Sequence, residues 1–118
     1  MFWVENERHN IISRSMHEGL GEIKTRPFFD DVSHLPVKFQ VWELDPGVSE
    51  GRHSHEGIDS LEELYYFIQG QGEMWFNKKT VPVSAGQAVL VPEGIDHGFR
   101  NTGTIPLRLV IIWGKPKA

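Results

Sequence analysis

From about Pro36 onward, short stretches of β-branched and aromatic residues alternate with polar turn residues. This alternation is typical of antiparallel strands joined by tight turns. Turn signals such as Asp45-Pro46-Gly47 and Pro92-Glu93-Gly94 separate the stretches. The stretches themselves span residues 37–44, 64–69, 73–77, 80–83, 87–91, 97–101 and 107–113. So many short strands at this spacing predict an all-β fold, either a sandwich or a closed barrel.

The first 35 residues have a different character. Residues 13–22 are polar and contain glycine, whereas residues 22–29 have the composition of a strand that ends at Pro27. Phe28 and Phe29 indicate that this segment packs on an apolar surface, either the outer face of the barrel or a second subunit. We therefore expect an N-terminal arm over residues 1–35 and one barrel over residues 36–118.

Composition and charge exclude several classes of protein. A chain of 118 residues suits one domain. The net charge is -4 and Lys78-Lys79 is the one adjacent basic pair, so a nucleic-acid partner is not expected. The sequence has no apolar run of membrane-spanning length and no signal-peptide pattern at its start, which predicts a soluble, cytoplasmic protein without a membrane partner. Because cysteine is absent, any metal site must use His, Asp or Glu.

A first polar constellation follows Gly47. It consists of His53, His55 and Glu63 and ends at Gly70. Residues two apart on a strand share a face, so His53 and His55 are expected to point together into the barrel. Glu63 joins them if the next strand pairs antiparallel, and Glu62 is the alternative carboxylate.

A second constellation begins at Gly86 and continues through Pro92, Gly94, His97 and Asn101. Here a strand ends in a Pro-Glu-Gly turn and restarts at His97, which returns a third imidazole to the barrel. Three imidazoles and one carboxylate suit a first-row divalent ion and leave coordination positions open. The histidines outside these segments, at positions 9, 17 and 34, are expected to be exposed.

The two constellations resemble the paired signatures of the cupin superfamily, which are Gly-x5-His-x-His with Glu-x6-Gly, and Gly-x5-Pro-x-Gly-x2-His-x3-Asn. The second signature matches at every position, whereas the first carries a longer interval, residues 56–62, between its second His and its Glu. The resemblance covers roughly residues 36–113. It implies a jelly-roll barrel, a metal near the barrel mouth held by His53, His55, Glu63 and His97, and homodimers in which an N-terminal strand is exchanged.

Two classes of function agree with such a site. The first is an enzyme that acts on a small oxygen-bearing molecule. With Fe(II) it would be a dioxygenase, and with Mn, Zn or Ni a Lewis-acid isomerase, lyase or decarboxylase. Fe or Mn is the favoured metal, with Zn, Ni and Cu as alternatives, and Tyr65 is the candidate proton donor. The second class is a non-catalytic protein that binds a sugar or another metabolite.

Overall fold

The chain was analysed as a computed structural model that describes residues 1–55, 57 and 60–117, so part of the interval between His55 and Glu63 lies outside the described residues. Within these ranges there is no α-helix, and none of the described segments forms a helix suited to crossing a membrane. A short 3-10 turn spans Glu7–His9. Ten strands follow: β1 Ile12–Arg14, β2 Ile23–Pro27, β3 Val37–Leu44, β4 Ser49–His53, β5 Glu62–Gln69, β6 Gln71–Phe76, β7 Lys79–Ser84, β8 Ala88–Val91, β9 His97–Asn101 and β10 Leu107–Gly114.

The strands form two antiparallel sheets. The larger sheet has the order β1-β2-β3-β10-β5-β8, and the smaller has the order β4-β9-β6-β7. No ladder among the described strands joins one sheet to the other, so the hydrogen bonding does not close into a continuous barrel. The two sheets share one apolar core, and the all-β jelly-roll class predicted from the sequence is confirmed.

The core follows from strict alternation along the strands. On β5, Tyr65 and Phe67 are buried while Tyr66 and Ile68 are exposed, because successive side chains point to opposite faces of a sheet. The core combines this face of β5 with inward residues of both sheets, among them Trp42, Leu44, Met74, Phe99, Leu107, Leu109 and Ile111. The same alternation makes Glu63 point inward from the end of β5.

The first 35 residues lie against the rest of the chain. Strand β2, which corresponds to the strand expected over residues 22–29, pairs with β3, and β1 pairs with β2. Between them, the connecting segment runs along β4: Ser49 N donates to Leu20 O at 2.9 Å and Gly51 N donates to Met16 O at 3.0 Å. The arm therefore extends the larger sheet and also contacts the smaller one. Its exchange between two subunits stays a prediction.

Asn101 fixes the end of β9. Its Nδ2 donates to Leu44 O at 2.9 Å and to Ile105 O at 2.8 Å, and its Oδ1 accepts a hydrogen bond from Gly103 N at 2.8 Å. The side chain of Asn101 therefore holds the turn that follows β9 and ties it to the end of β3. Because the residue is buried, each of these bonds satisfies a group that has little access to water.

Candidate metal centre

Both sheets contribute to one polar cluster inside the protein. Glu63 comes from β5 of the larger sheet, His53 ends β4, and His97 begins β9 of the smaller sheet. His53 and His97 are register partners across the β4–β9 ladder, which places their side chains side by side. His55 lies two residues beyond β4, where its carbonyl accepts a hydrogen bond from Gly94 N at 3.1 Å.

The structure brings the four predicted residues together, and we call them the His/Glu cluster. Glu63 Oε1 lies 2.9 Å from His97 Nε2, 3.2 Å from His55 Nε2 and 4.0 Å from His53 Nε2. One ligating atom from each of the four residues lies within 4.8 Å of the others. Glu63, and not Glu62, is the glutamate in this set, because inward and outward positions alternate along β5.

These separations fit a divalent metal ion. With metal–ligand bonds of about 2.1 Å, two ligand atoms are about 3.0 Å apart when they are neighbours at a right angle and about 4.2 Å apart when they are opposite. The distances from Glu63 Oε1, 2.9, 3.2 and 4.0 Å, fall in this range. The donor set, three nitrogens and one carboxylate, suits first-row ions and is compatible with a metal in this cluster.

Backbone carbonyls orient two of the imidazoles. His53 Nδ1 lies 3.0 Å from Gly51 O, and His97 Nδ1 lies 2.8 Å from Ile95 O. A carbonyl only accepts, so in both rings Nδ1 is the donor and Nε2 faces the cluster. Ligand histidines in metalloproteins are held in this way by an acceptor on the other ring nitrogen.

The local electrostatics favour neutral His53 and ionised Glu63. Burial lowers the pKa of His53 to about 4. Burial acts to raise the pKa of Glu63, but hydrogen bonds from His97 and Tyr65 outweigh it and leave that pKa below its ordinary value. Burial likewise acts to lower the pKa of His97, but the hydrogen bond and charge of Glu63 raise it overall. Neutral His53 and ionised Glu63 are the forms that bind a metal, whereas the raised pKa of His97 favours a proton on its ring that a bound ion would displace.

Tyr65 contacts the cluster through its hydroxyl, which donates to Glu63 Oε2 at 3.0 Å. Its side chain is 1% exposed. This contact holds the second carboxylate oxygen of Glu63 and suits a positioning role. The proton-donor role expected from the sequence stays a prediction.

A cavity of about 170 Å³ opens beside the cluster. An apolar cavity of about 150 Å³ holds a benzene-sized molecule, so a small organic acid fits this volume. Besides residues of the cluster, its polar lining comes from Arg14, His17, Thr25, Gln40 and Glu50.

Two of these lining residues were not singled out as functional from the sequence. His17 is exposed, as expected, but its ring also stacks on His53 with centroids 3.5 Å apart and planes inclined by 10°. Glu50 is 1% exposed, and burial, together with the charge of Glu63, raises its pKa well above the usual range. No motif marks either residue.

Fold and cluster together define a small jelly-roll protein with a three-histidine, one-glutamate centre. The Cupin domain family matches residues 40–113. An oxalate-binding protein of Thermotoga maritima is 32% identical over 100 residues, which is 83% of this chain and 80% of that protein. The chain belongs to the cupin family.

Solved structures agree with this assignment. A predicted oxalate decarboxylase from Thermotoga maritima superimposes with a TM-score of 0.86 and 29% identity, covering 97% of this chain and 100% of that one. A cupin 2 conserved barrel domain protein from Salinispora arenicola gives a TM-score of 0.76 at 21% identity, covering 98% of this chain and 89% of that one. The second likeness bears on the fold alone.

Proposed function

We propose that this chain is a metal-dependent cupin that binds oxalate or a closely related small acid at a metal held by His53, His55, Glu63 and His97. The observation that carries the proposal is the convergence of these four side chains beside a cavity of small-acid size. The names of the relatives, an oxalate-binding protein and a predicted oxalate decarboxylase, support the choice of ligand.

The charge of the loaded centre would favour an anion. A divalent ion and one ionised glutamate leave a net charge of +1 at the cluster when the histidines are neutral. Arg14, on β1, lines the same cavity and adds a second positive charge near it. When bound, the metal supplies open positions for a carboxylate oxygen and polarises the acid that it binds.

Fe or Mn is the favoured ion for nitrogen and carboxylate ligands, and its identity is tested by elemental analysis of the purified protein.

The test is calorimetric titration of oxalate into the Mn-loaded and the metal-stripped chain. We expect one oxalate per chain in the loaded form and at least a 100-fold weaker affinity after stripping. Equal binding by both forms, or no binding by the loaded form, would contradict the proposal.

Product analysis on the same samples separates enzyme from binding protein. Release of formate and CO2 would assign decarboxylase activity. Oxygen uptake with release of CO2 and hydrogen peroxide would assign oxidase activity, and incorporation of both atoms of labelled O2 into the product would assign dioxygenase activity. Binding of the acid without any product would assign a binding protein. The isomerase prediction is tested in parallel by following sugars in the absence of oxygen.

Changing Tyr65 to Phe is expected to weaken metal binding by about 10- to 100-fold, because residues that orient a metal ligand typically contribute that much. The change removes the hydroxyl that donates to Glu63 Oε2 and keeps the aromatic ring in the core. Competition with a chelator of known affinity measures the effect. The matched control is Tyr66→Phe, which removes an exposed hydroxyl from the next residue of β5. Equal metal affinities in the two variants would contradict a positioning role for Tyr65.

We also propose that the protein forms a homodimer through the exposed surface of its larger sheet. This outer face consists of Leu64, Tyr66, Ile68, Ala88, Leu90, Val110 and Ile112. The ladders make it continuous, since Leu64 pairs with both Ile112 and Leu90. These seven side chains are uncharged, although Glu43 and Arg108 border them on the same face of the sheet, and an apolar patch of this extent is typical of a protein–protein interface. The proposed partner is a second copy of the chain, because in a twofold interface an apolar face packs against the same face of the other subunit.

A further inference from the structure

Two polar side chains beside the His/Glu cluster have no role in metal binding as proposed. They are Glu50, on β4, and His17, in the N-terminal arm, and both line the cavity. A ring nitrogen of His17 and a carboxylate oxygen of Glu50 lie within 4.8 Å of each other. They are near enough to share a ligand.

Glu50 is a buried group in need of a partner. Its Oε1 has no hydrogen bond within the described part of the chain, although the residue is 1% exposed. The nearest imidazole nitrogen, His53 Nδ1, is 3.9 Å away and already bonds to Gly51 O. Leaving a buried polar atom unpaired is costly, and such atoms in native proteins commonly face a ligand or water. Because Glu50 lines the cavity, a bound molecule is in a position to supply the missing partner.

The N-terminal arm holds His17 in place at a conformational cost. His17 and Glu18 have φ values of 53° and 61°, in the left-handed region that non-glycine residues rarely adopt. A hydrogen bond of 3.0 Å from Gly19 N to Met16 O closes the turn. Strained backbone of this kind persists where the surrounding structure enforces it, and it is frequent at functional sites.

Two glycines allow the arm to approach the backbone of β4 closely. A Cβ on Gly51 would overlap with the backbone oxygen of His17, and one on Gly19 would overlap with the backbone oxygen of Ser49. Both positions therefore require glycine for close backbone contact. This contact sets the imidazole of His17 flat on His53, at the edge of the cavity.

A hydroxyl placed between His17 and Glu50 bonds to both, because it donates to a carboxylate oxygen of Glu50 while its own oxygen accepts from a ring N–H of His17. No direct hydrogen bond joins the two side chains in the described part of the chain, and two bonds of about 2.8 Å to a shared oxygen span a separation of up to 4.8 Å. Gln40 lines the same cavity, and its Oε1 accepts a hydrogen bond from Trp42 Nε1 at 2.7 Å, which orients its amide and leaves Nε2 as a further donor.

We propose that His17 and Glu50 form a second polar subsite, which binds the far oxygen of a small acid whose near carboxylate is at the metal centre. The ligand class is then a small acid with a hydroxyl at its far end, which is either a hydroxy acid or a dicarboxylic acid bound as its monoanion. This inference rests on the proposed function, because it places the near carboxylate at the His/Glu cluster.

The test uses the Mn-loaded full chain and calorimetry with three acids: oxalate, glycolate and acetate. His17→Phe keeps a ring that can stack on His53 and removes both ring nitrogens. Glu50→Met keeps the volume and removes the carboxyl group. Each variant should weaken the binding of oxalate or glycolate by about 10- to 100-fold, the range expected for lost hydrogen bonds to a charged ligand, with acetate affinity unchanged within twofold. The two changes together should weaken binding by less than the product of their separate effects.

Measuring the metal content of each variant, beside a matched control variant, separates loss of the subsite from loss of the metal. Each variant should retain one Mn per chain, and His34→Phe, an exposed histidine, should bind all three acids like the parent. Unchanged oxalate and glycolate affinities in both subsite variants would overturn the subsite while leaving the proposed function intact. Loss of Mn in His17→Phe would also overturn it, because His17 would then be a metal ligand. Failure of the loaded parent to bind any of the three acids would overturn the proposed function and the subsite together.

Discussion

Replacing His97 with alanine is expected to abolish metal binding while leaving the two sheets folded. His97 is the most buried imidazole of the cluster, at 1% exposure, and its Nε2 lies 2.9 Å from Glu63 Oε1. Loss of a residue that merely orients a ligand costs about 10- to 100-fold in metal affinity, so removal of a ligand itself should cost more than 100-fold. The apolar core is formed by other residues, which is why the fold should persist. Elemental analysis and circular dichroism measure the two effects.

The control for this experiment is His9→Ala, which removes an exposed histidine of the arm. It should bind metal like the parent. Near-stoichiometric metal in His97→Ala would rule out the proposed centre. Unfolding of the parent chain on metal removal would instead assign the ion a structural role, since metal binding and folding are then coupled.

Changing Tyr66 to glutamate should convert the proposed dimer to monomers. Tyr66 is 48% exposed and lies between Val110 and Ala88 on the outer face. In a twofold interface each copy contributes the same surface, so the substitution introduces two charges. Burying a charge without a partner costs several kcal/mol, and the dimer affinity should therefore fall by more than 100-fold. Light scattering after size-exclusion chromatography at micromolar concentration measures the mass.

The matched control is Ile105→Glu. Ile105 is similarly exposed, at 52%, but belongs to the loop between β9 and β10 and not to the outer face. This variant should remain dimeric. A monomeric parent protein, or a dimeric Tyr66→Glu variant, would show that the outer face is not the subunit interface.

The strands with apolar alternation were predictable from sequence. The stretches at 37–44 and 97–101 coincide with β3 and β9, and the other five coincide with strands to within two residues at each end. Strand β1 was missing from the prediction, and β4 was assumed only as a strand that carries His53 and His55, without bounds. β4 has the sequence Ser-Glu-Gly-Arg-His, which has no apolar pattern, and it is a strand because it pairs with β9. Tertiary pairing of this kind leaves no local signal.

The site was partly predictable for the same reasons. Glu63 follows from the alternation on β5 and is found where that alternation places it. His55 reaches the cluster, but it lies beyond the end of β4. Its position therefore does not follow from the expectation that His53 and His55 share one face of a strand. Glu50 was missed because the β4–β9 register shifts between Glu50 and His53. A bulge there brings residues three apart to the same face, which simple alternation excludes.

His17 was missed because its position depends on the path of the whole arm. The turn that carries it contains His17 and Glu18, both with backbone dihedrals in the left-handed region. Non-glycine residues rarely adopt this conformation, so the sequence does not predict it. Backbone contacts of the arm with β4, between Met16 and Gly51 and between Leu20 and Ser49, locate the imidazole over His53. Such long-range contacts are set by tertiary structure and are not encoded in any short motif.

The cavity is lined by two parts of the chain that are subject to different constraints. All four members of the His/Glu cluster lie between residues 53 and 97, whereas Arg14 and His17 come from the arm. Mutations in the arm can alter the rim of the cavity without changing any residue of the His/Glu cluster. Replacing the arm is therefore a route to a different ligand preference that leaves the four residues of the cluster untouched.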